Sequence, residues 1–324
     1  MKAIIIGRYG TPDVLRMEEV DAPVPGDGEV LVRVRASSVN PYDWHFLTGR
    51  PKLFRPAFGG LRRPKYRILG ADLAGKVEAV GPGVTRFVPG DEVYGLTAAG
   101  AYAEYAAVAE AELAAKPADL TFEQAAAVPL AGGTALQAIR DQGHVQPGQK
   151  VLINGASGGV GAFAVQIAKA DGAEVTGVCS TGNVDMVRSI GADHVIDYTR
   201  DDFTSSSSKY DLLLDNVGNR SLSEYRRVLA PKGMYLASHG QPEHTWLGPI
   251  WFLARMALLS PFVGQKLTSF TAHPRTEDLD TLQELIATGT LRPVIDRAYP
   301  LVEVPEAFRY LERGHARGKV VITV

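Results

Sequence analysis

The feature that most constrains this chain is a glycine-rich segment between an apolar run and an amphipathic run. Lys150–Asn154 has the composition of a buried strand, and Gly158–Ala170 has the periodicity of a helix. The glycines between them permit a tight turn and a close approach of the backbone to a pyrophosphate, while N–H groups at the helix start face the anion. Glycine-rich turns also close strand–helix junctions that bind nothing, so the motif predicts a dinucleotide site only within a series of alternating strands and helices.

The chain after Thr121 shows such a series. Thr121 can cap a helix that carries Glu123 and Gln124 in its first turn. Apolar strands then alternate with helices, which is typical of parallel strands whose two sheet faces are covered. The expected strands are Lys150–Asn154, Glu174–Cys179, His194–Asp197, Leu212–Asp215, Gly233–Ser238 and Leu267–Thr271, and further helices are Val184–Ile190 and Leu222–Leu229. This part therefore predicts a doubly wound α/β domain, and the tail from Arg275 adds helix, strand, helix and strand.

Residues 1–120 have a different pattern, in which short strands are separated by turns that contain glycine or proline. The strands expected here are Lys2–Ile6, Glu29–Ser37, Leu73–Val80, Glu92–Tyr94 and Ala101–Val108. This part of the chain therefore predicts a compact β-rich unit.

The composition excludes several classes of protein. Lys and Arg total 34 against 36 for Asp and Glu, so the net charge of −2 provides no general attraction to nucleic acid. The single cysteine, Cys179, excludes internal disulfides and a four-cysteine zinc site, and it suits a reducing compartment, so we expect a cytoplasmic protein. The apolar segment Trp246–Val263 contains Pro249, Arg255 and Pro261, which weigh against a membrane span.

The end of the second strand of the α/β series favours one nicotinamide cofactor over the other. Sites for NAD usually place a carboxylate there to accept from the ribose 2′-hydroxyl, whereas this chain has Cys179-Ser180-Thr181. Small hydroxyl groups and the amide of Asn183 can donate to a 2′-phosphate that a carboxylate would repel. The sequence therefore predicts NADPH. Arg188 either adds a positive charge or lies on a solvated helix face, and Tyr198 either flanks the adenosine end or packs against the protein.

The order of these parts resembles the medium-chain dehydrogenase/reductase superfamily over nearly the whole chain. The similarity is to its zinc-free branch, the quinone oxidoreductases and enone reductases, and in the ending to the reticulon-interacting oxidoreductases. The similar motifs are Ser38–Asp43, Gly70–Gly75, Val80–Gly81, Pro89–Gly95 and Gly155–Gly161, and the ending is Gly314–Lys319. The resemblance implies a GroES-like β-rich catalytic domain at 1–122 and 272–324 and a doubly wound Rossmann domain, which binds NADPH, at 123–271. It also implies a homodimer formed by pairing edge strands.

The resemblance further implies which residues contact the cofactor. Thr134 matches the helix position beside the nicotinamide half, and the glycine-rich turn matches the pyrophosphate site. The residues of that turn are Ser157, Gly158, Gly159 and Val160, and those at the adenosine phosphate end are Ser180, Thr181, Asn183 and Tyr198. Asn216 and Val217 match the loop after the fourth strand, and His239 is a further contact. The residues of the returning segment that closes over the cofactor are His315, Ala316 and Arg317.

Two motifs depart from the zinc-binding members of the superfamily. Asn40 stands where those enzymes have a cysteine ligand, and Gly70-Ala71-Asp72 replaces a Gly-His-Glu segment. Catalytic zinc needs three protein ligands and an open position. Because the only thiol, Cys179, belongs to a predicted strand of the α/β series, we expect no metal site.

Without a metal, a hydride acceptor has to be electron-poor already, or its negative charge has to be neutralised as it forms. This favours quinones and α,β-unsaturated carbonyls, which spread the charge into a hydroquinone anion or an enolate. Asn40 can donate an N–H to the substrate or ribose, and Asp43 either orients its neighbours or caps the loop. His45 stands where related quinone reductases carry Tyr and alkenal reductases carry Lys, and it either protonates the enolate or packs in the loop. Tyr66 is an alternative source of the proton.

Two segments of the chain have more than one interpretation, and two functions other than the leading one fit the sequence. The basic, aromatic stretch Arg50–Arg67 fits a solvated loop over a substrate cleft better than a surface for single-stranded nucleic acid. Together with Trp246–Val263 it can form an entrance for a hydrophobic carbonyl or quinone substrate, or a surface for a partner. The leading hypothesis is an NADPH-dependent, zinc-independent reductase. The alternatives are an NADP-dependent alcohol or aldehyde dehydrogenase and a non-catalytic NADPH-binding scaffold.

Overall fold

The computed structural model describes residues 1–50, 55, 60, 63–238, 248–260 and 263–324. Its strands are β1 (Lys2–Ile6), β2 (Leu15–Glu19), β3 (Glu29–Val39), β4 (Asp72–Val80), β5 (Glu92–Leu96), β6 (Tyr105–Ala109), β7 (Leu113–Ala115), β8 (Lys150–Asn154), β9 (Glu174–Cys179), β10 (His194–Asp197), β11 (Tyr210–Asp215), β12 (Leu229–Ala237), β13 (Lys266–Ser269), β14 (Ile295–Pro300) and β15 (Lys319–Thr323). Its helices are α1 (Pro41–Thr48), α2 (Phe122–Ala126), α3 (Pro129–Leu136), α4 (Gly159–Ala170), α5 (Val184–Ser189), α6 (Leu222–Val228), α7 (Gly248–Leu259), α8 (Thr276–Ala287) and α9 (Val304–Glu312).

The elements fall into two compact units, which are described separately. Unit 1 comprises residues 1–133, 274–289 and 293–324, and unit 2 comprises residues 134–273 and 290–292. Unit 1 thus combines the β-rich N-terminal part of the chain with the returning C-terminal part. Unit 2 contains the chain around the glycine-rich turn.

Unit 1 is built on a seven-stranded sheet with the order β14-β15-β3-β4-β5-β7, in which β6 also pairs with β3, and on a two-stranded sheet of β1 and β2. The long strand β3 is antiparallel to β4, β6 and β15, so that Ser38 pairs with Asp72 and Val39 pairs with Val320. The inward-facing valines of β3 pack in the buried core of this sheet. This register brings the end of β3 next to the first residues of β4 and β15, where several polar side chains are buried.

Unit 2 is a six-stranded parallel sheet with the order β10-β9-β8-β11-β12-β13. Counted along the chain this order is 3-2-1-4-5-6, which is that of a doubly wound dinucleotide-binding sheet, and it reverses between β8 and β11. Ligands of such sheets bind beyond the carboxyl ends of the strands at the reversal. At these two strand ends, Asn154 Nδ2 donates to Asp215 Oδ1 at 2.8 Å. The glycine-rich turn, which follows β8, therefore lies where this strand order predicts a ligand.

The sequence predicts the parallel strands more closely than the helices of unit 1. β8, β9 and β10 have the predicted bounds, and Thr121 caps α2 in a capping box with Gln124. The segment after Asn40 is the helix α1 rather than the predicted loop. Its physical cause is visible in the sequence, because Pro41 lies in the first turn and Asn40 forms a capping box with Asp43. β2 is absent from the prediction, and β6 is shorter than predicted.

No helix among the described residues is both long enough and apolar enough to cross a membrane. The apolar segment 246–263 contains α7, whose 12 residues are fewer than the roughly 20 that a spanning helix needs.

Candidate functional site

The glycine-rich turn of unit 2 leads into a helix start that no side chain of the described residues caps. Gly155 has a φ of 79°, which favours glycine, and Gly158 is the N-cap of α4 without a side-chain hydrogen bond. A Cβ at Gly161 would lie 2.1 Å from the carbonyl oxygen of Gly155, whereas a Cβ at Gly158 would meet only that oxygen, at 3.4 Å. The fold therefore requires Gly161, while the space beside Gly158 is open. Because the first N–H groups of a helix lack intrahelical acceptors, those of Gly159 and Val160 fit a pyrophosphate.

Asn183 joins this turn to the end of β9. Its Nδ2 donates to the hydroxyl oxygens of Ser157 and Ser180, each at 3.2 Å. Because the amide supplies the protons of both contacts, the hydroxyl protons of the two serines stay available to a ligand. Asn183 Oδ1 is buried and has no hydrogen-bond partner among the residues that the structure describes. Buried acceptors usually have a donor, so a ligand or a water molecule is expected to donate to this oxygen. The three side chains therefore fit a phosphorylated ribose beside the turn.

A carboxylate to which the sequence prediction gives no role lies beside Thr181. Asp197 ends β10, and its Oδ2 accepts the hydroxyl proton of Thr181 at 2.6 Å while its Oδ1 accepts the hydroxyl proton of Thr199 at 2.7 Å. The hydrogen bond from Thr181 is the main reason that the pKa of Asp197 lies below its usual value. Thr181 has thus donated its single proton within the protein. Tyr198 follows Asp197 with an exposed ring, and its backbone N–H donates to the carbonyl oxygen of Cys179 at 3.0 Å.

Asp215 shapes the loop that follows β11. Its Oδ1 accepts from the backbone N–H groups of Val217 and Gly218 at 3.1 and 3.0 Å. Asn216 Nδ2 donates to the carbonyl oxygen of Asn154 at 3.1 Å, which fixes the side chain against the end of β8. The two predicted contacts Asn216 and Val217 therefore lie at the ligand-binding edge of the parallel sheet.

The returning segment of unit 1 is held by Asp296. Its Oδ2 accepts from the backbone N–H of Arg317 at 3.1 Å and from the hydroxyl of Tyr310 at 2.5 Å. The side chains of His315 and Arg317 are exposed, and Ala316 packs partly against the core. The carboxylate thus fixes the backbone of the segment and leaves its basic side chains in solvent.

Of the other two predicted cofactor contacts, Thr134 lies within the described residues and His239 does not. Thr134 is half-buried in α3, beside Gly133, where an added Cβ would meet nothing within 4 Å. His239 lies outside the described residues, as do parts of the basic stretch 50–67 and of the apolar segment 246–263.

Unit 1 contains a buried polar cluster at the ends of β3, β4 and β15, which we call the Asp72 cluster. Its members are Ser38, Asn40, Asp43, Asp72 and Lys319, all of them buried, with Asp72 fully buried and Lys319 3% exposed. Asp72 Oδ2 accepts from Asn40 Nδ2 at 2.9 Å, from Lys319 Nζ at 3.1 Å and from the Ser38 hydroxyl. Its Oδ1 accepts from the backbone N–H of Leu130, in the first turn of α3, at 2.8 Å. One carboxylate thus ties three strand ends to a helix start.

Two glycines bring the backbone to this cluster. Gly70 has a φ of 97°, and its N–H donates to Asp43 Oδ1 at 3.2 Å. Gly318 has a φ of 82°, and a Cβ there would lie 2.2 Å from the carbonyl oxygen of Val294. The next residue, Lys319, donates its backbone N–H to that same oxygen at 2.8 Å. The motifs 70–72 and 318–319 therefore place a carboxylate and an ammonium by backbone geometry that only glycine adopts readily.

Asp43 carries the titratable proton of the cluster. Burial, and next the charge of Asp72, raise its pKa to about 7, although hydrogen bonds from Asn40 oppose the rise. Burial, and then the charge of Asp43, raise the pKa of Tyr102 well above its usual value. Near neutral pH the cluster therefore combines a titrating carboxyl group with the salt bridge between Asp72 and Lys319.

His45 and Tyr66 lie apart from this network. Residues two apart on a helix do not share a face, so His45 of α1 points away from Asp43. Its Nδ1 lies 2.8 Å from the carbonyl oxygen of Arg50. The Tyr66 ring packs 5.7 Å from the ring of Phe46, centroid to centroid. Among the described residues, the structure thus brings Asn40 and Asp43 together in one hydrogen-bonded network and joins neither His45 nor Tyr66 to it.

The side chains at this place do not fit a metal ion. No group of three His, Cys, Asp or Glu side chains within the described part of the chain can hold one. Lys319 Nζ donates to Asn40 Oδ1, at the position where zinc members of the superfamily are expected to have a ligand. An ammonium repels a second cation in a buried site.

Asp72 and Lys319, like Asp197, are residues to which the sequence prediction assigns no role. Both belong to motifs that carry the family resemblance, at 70–75 and at 314–319. The signal that identifies them is a charged residue at the start of an otherwise buried strand, shortly after a glycine. Lys319 directly follows Gly318, and Asp72 follows Gly70 with one residue between them. Charged side chains are rarely buried unless they are paired.

The comparison with protein families and curated relatives shows which proteins the chain is similar to. Residues 26–118 match the alcohol dehydrogenase GroES-like domain, and residues 190–322 match the family described as zinc-binding dehydrogenase. The chain is 36% identical to the mitochondrial NAD(P)H oxidoreductase RTN4IP1 of Homo sapiens, over 100% of this chain and 89% of that protein. It is 33% identical to a 2-methylene-furan-3-one reductase of Solanum lycopersicum, over 99% of this chain and 79% of that protein.

Solved structures confirm the predicted fold of a GroES-like β-rich domain with a doubly wound Rossmann domain. The quinone oxidoreductase of Coxiella burnetii is 31% identical with a TM-score of 0.87, over 100% of this chain and 99% of that one. The quinone oxidoreductase of Escherichia coli complexed with NADPH is 25% identical with a TM-score of 0.84, over the full length of both chains. The chain therefore belongs to the medium-chain dehydrogenase/reductase superfamily, in the branch of the NAD(P)H-dependent quinone oxidoreductases.

Proposed function

We propose that the protein is a zinc-independent, NADPH-dependent reductase that transfers hydride to a quinone or an α,β-unsaturated carbonyl compound. The observation that carries the proposal is the Asp72 cluster. Where zinc enzymes of the superfamily bind their metal, this chain has an amide, a carboxylate and an ammonium that are hydrogen-bonded to one another. Such a site can stabilise negative charge through hydrogen bonds, and acceptors that delocalise the charge are those for which hydrogen bonds suffice.

The cofactor side of the reaction rests on unit 2. NADPH, when bound, supplies the hydride. The start of α4 would hold the pyrophosphate through backbone N–H groups, and Ser157 and Ser180 would donate their hydroxyl protons to the ribose phosphate. Asn183 keeps those two hydroxyls oriented. We further propose that residues 123–271 act as the NADPH-binding domain and that residues 1–122 and 272–324 act as the catalytic domain.

The acceptor side rests on unit 1. Hydride arrival leaves negative charge on the carbonyl oxygen of the acceptor, and Asn40 would donate an Nδ2 proton to that oxygen. Removal of one such donor typically lowers kcat by about 100- to 1,000-fold. His45 would supply the proton, since histidine is the side chain that most often serves as a general acid.

The proposal is tested by following NADPH oxidation with a panel of quinones and enones in the presence of a chelator. Turnover of at least one acceptor, unchanged by the chelator, is expected. Oxidation of alcohols with NADP that the chelator abolishes would instead identify an alcohol dehydrogenase. Tight NADPH binding with no turnover of any acceptor would identify a binding scaffold.

The proton donor is tested separately. The variant His45→Gln should lower enone turnover, change the pH profile of that turnover and leave NADPH affinity unchanged. Unchanged enone turnover and pH profile in the variant would assign His45 a packing role.

Two further aspects of the function remain proposals. We propose a homodimer formed at an edge strand of the parallel sheet of unit 2, which sedimentation of the purified protein tests. We also propose a cytoplasmic location, based on the single, buried cysteine, and fractionation of the source cells tests it.

A further inference from the structure

The amide of Asn40 is held in one orientation by two charged groups. Its Oδ1 accepts from Lys319 Nζ, and its Nδ2 donates to Asp72 Oδ2 at 2.9 Å. An ammonium can only donate and a carboxylate can only accept, so the reversed amide would place like groups against each other at both ends. The orientation of Asn40 is therefore fixed by chemistry and not by packing alone.

One proton of this amide is poorly partnered. The strong bond to Asp72 uses one Nδ2 proton. The other contacts of Nδ2 are longer, at 3.3 Å to Asp43 Oδ2, 3.4 Å to Ser38 Oγ and 3.5 Å to the carbonyl oxygen of Ser38. These distances exceed the usual range for N–H···O hydrogen bonds. The second proton thus has only long hydrogen bonds within the described part of the chain, to Asp43 and Ser38, and is the one that a ligand oxygen can take in exchange for them.

The ammonium also strengthens this donor. A positive charge against the amide oxygen draws electron density away from the nitrogen, and hydrogen bonds in a chain polarise one another in a buried site. Lys319 is 3% exposed, so water screens its charge little. Its Nζ has two acceptors among the described residues, Asn40 Oδ1 and Asp72 Oδ2, and both belong to the cluster.

We propose that Asp72 and Lys319 are positioning residues that orient and polarise the Asn40 amide for donation to the oxygen of the hydride acceptor. The proposal rests on the proposed function, because it assumes that an acceptor oxygen binds at Asn40. It assigns to a buried salt bridge part of the electrophilic role that a metal ion has in the zinc enzymes. Neither charged residue needs to touch the substrate.

The test is a double-mutant cycle between Asn40→Ser and Lys319→Met. Serine retains an N-cap for α1 but has no amide, and methionine retains the length of lysine without its charge. Because partners behind a reacting group typically contribute about 10- to 100-fold, Lys319→Met should lower kcat by that factor and leave the Kd of NADPH unchanged. In the Asn40→Ser background, Lys319→Met should lower kcat by no more than about two-fold. Independent, multiplying losses would show that Lys319 does not act through Asn40 and would overturn the proposal.

Lys116→Met is the matched control. Lys116 is a second buried ammonium of unit 1, bonded to the carbonyl oxygens of Pro117 and Leu120 and paired with Glu92 at 3.2 Å. Its removal should lower thermal stability as Lys319→Met does, but it should leave kcat unchanged. Equal loss of kcat in both variants would mean that the effect is only structural, which contradicts the proposal. If Lys319→Met does not fold, Lys319→Gln, which can donate a hydrogen bond but has no charge, takes its place in the cycle with the same expected non-additivity.

A spectroscopic measurement tests the orientation without turnover. The side-chain amide signals of Asn40, identified in a proton–nitrogen correlation spectrum by their loss in Asn40→Ser, should shift in Lys319→Met and stay in place in Lys116→Met. Signals that stay in place in Lys319→Met would refute the role of Lys319. Should the unmodified protein reduce no acceptor, the proposed function fails while this spectrum still decides whether Lys319 orients the amide.

Discussion

The candidate sites of the two units handle charge in opposite ways. In unit 1 the Asp72 cluster buries two carboxyl groups and an ammonium, and each of these groups has hydrogen-bond partners within the unit before any ligand binds. In unit 2 the glycine-rich turn contains no charged side chain, and no side chain caps the helix that follows it. Unit 1 is therefore preorganised by its own charges, whereas unit 2 has backbone N–H donors whose hydrogen bonds a ligand would complete.

This difference determines what each half can tolerate. Removing one partner of a buried ion pair leaves the other charge uncompensated, which costs about 3–5 kcal/mol. The turn has no such charge to lose, but it has no room for a side chain where its backbone segments touch. Unit 1 should therefore be sensitive to lost charge and to pH, and unit 2 should be sensitive to added volume and to added charge.

The largest expected effect is the pH dependence of stability that Asp43 confers on unit 1. Its pKa of about 7 in the folded protein exceeds the usual value of 3.8, so the folded state holds the proton more tightly than the unfolded state. Its contribution to stability is complete below pH 4 and is lost as the pH rises through 7, by up to roughly 4 kcal/mol at about 1.4 kcal/mol per pKa unit. The variant Asp43→Asn has no such group, so its free energy of unfolding should fall less than that of the unmodified protein between pH 4 and 8.

Urea unfolding at several pH values measures this difference. Asp21→Asn, which removes an exposed carboxylate from the same unit, should follow the unmodified protein. Parallel stability curves for Asp43→Asn and the unmodified protein would show that Asp43 is already ionised in the cluster.

The second prediction compares two glycines of the turn in unit 2. Gly161→Ala places a Cβ 2.1 Å from a carbonyl oxygen, so it should lower the free energy of unfolding by about 3 kcal/mol. Gly158→Ala meets only a 3.4 Å contact, so it should retain stability while its methyl group intrudes on the open space and weakens NADPH binding. Thermal unfolding and cofactor titration measure the two effects. A destabilised Gly158→Ala protein would mean that the open space is needed by the fold and not by a ligand.

The sequence predicts an element well when the contacts that determine the element are between residues close together in the chain. β8, β9 and β10 have their predicted bounds because buried parallel strands are continuous apolar runs that end at turn residues. The glycine-rich turn is predicted for the same reason, since its geometry depends on a few adjacent residues. The helix α1 has an equally local signal, which consists of Pro41 and the capping box of Asn40 and Asp43. The prediction of a loop there was wrong because this signal was not used.

The Asp72 cluster could not be predicted in the same way. Asp72 and Lys319 are 247 positions apart, and only the pairing of β3 with both β4 and β15 brings them together. The donation from Thr181 to Asp197 has the same origin, because it depends on which strand lies beside β9. Sequence motifs identify which residues carry charge, but the strand order determines which charges meet.

The third prediction adds charge to unit 2 at the end of β9. Ser180→Asp should repel a 2′-phosphate and accept from a ribose 2′-hydroxyl, so the ratio of NADPH to NADH affinity should fall by about 10- to 100-fold. Ser189→Asp is the control, since it adds the same charge at an exposed position at the end of α5. Fluorescence titration with both cofactors measures the ratio. An equal change in both variants would reflect net charge and would contradict the predicted phosphate site.

The smallest expected effect comes from removing a carboxylate that lies near the predicted phosphate site. Asp197 accepts the hydroxyl proton of Thr181, and the remaining negative charge opposes a bound 2′-phosphate across a short distance in partly exposed surroundings. Asp197→Asn keeps an oxygen that can accept from Thr181 but removes the charge, so NADPH affinity should rise by about three- to ten-fold, with a weaker dependence on salt, while NADH affinity stays the same. Asp185→Asn removes a fully exposed carboxylate from α5 and should change neither affinity. A fall in NADPH affinity in Asp197→Asn would show instead that the carboxylate is needed to hold Thr181 and Tyr198 in place, and unit 2 would then depend on a charged side chain as unit 1 does.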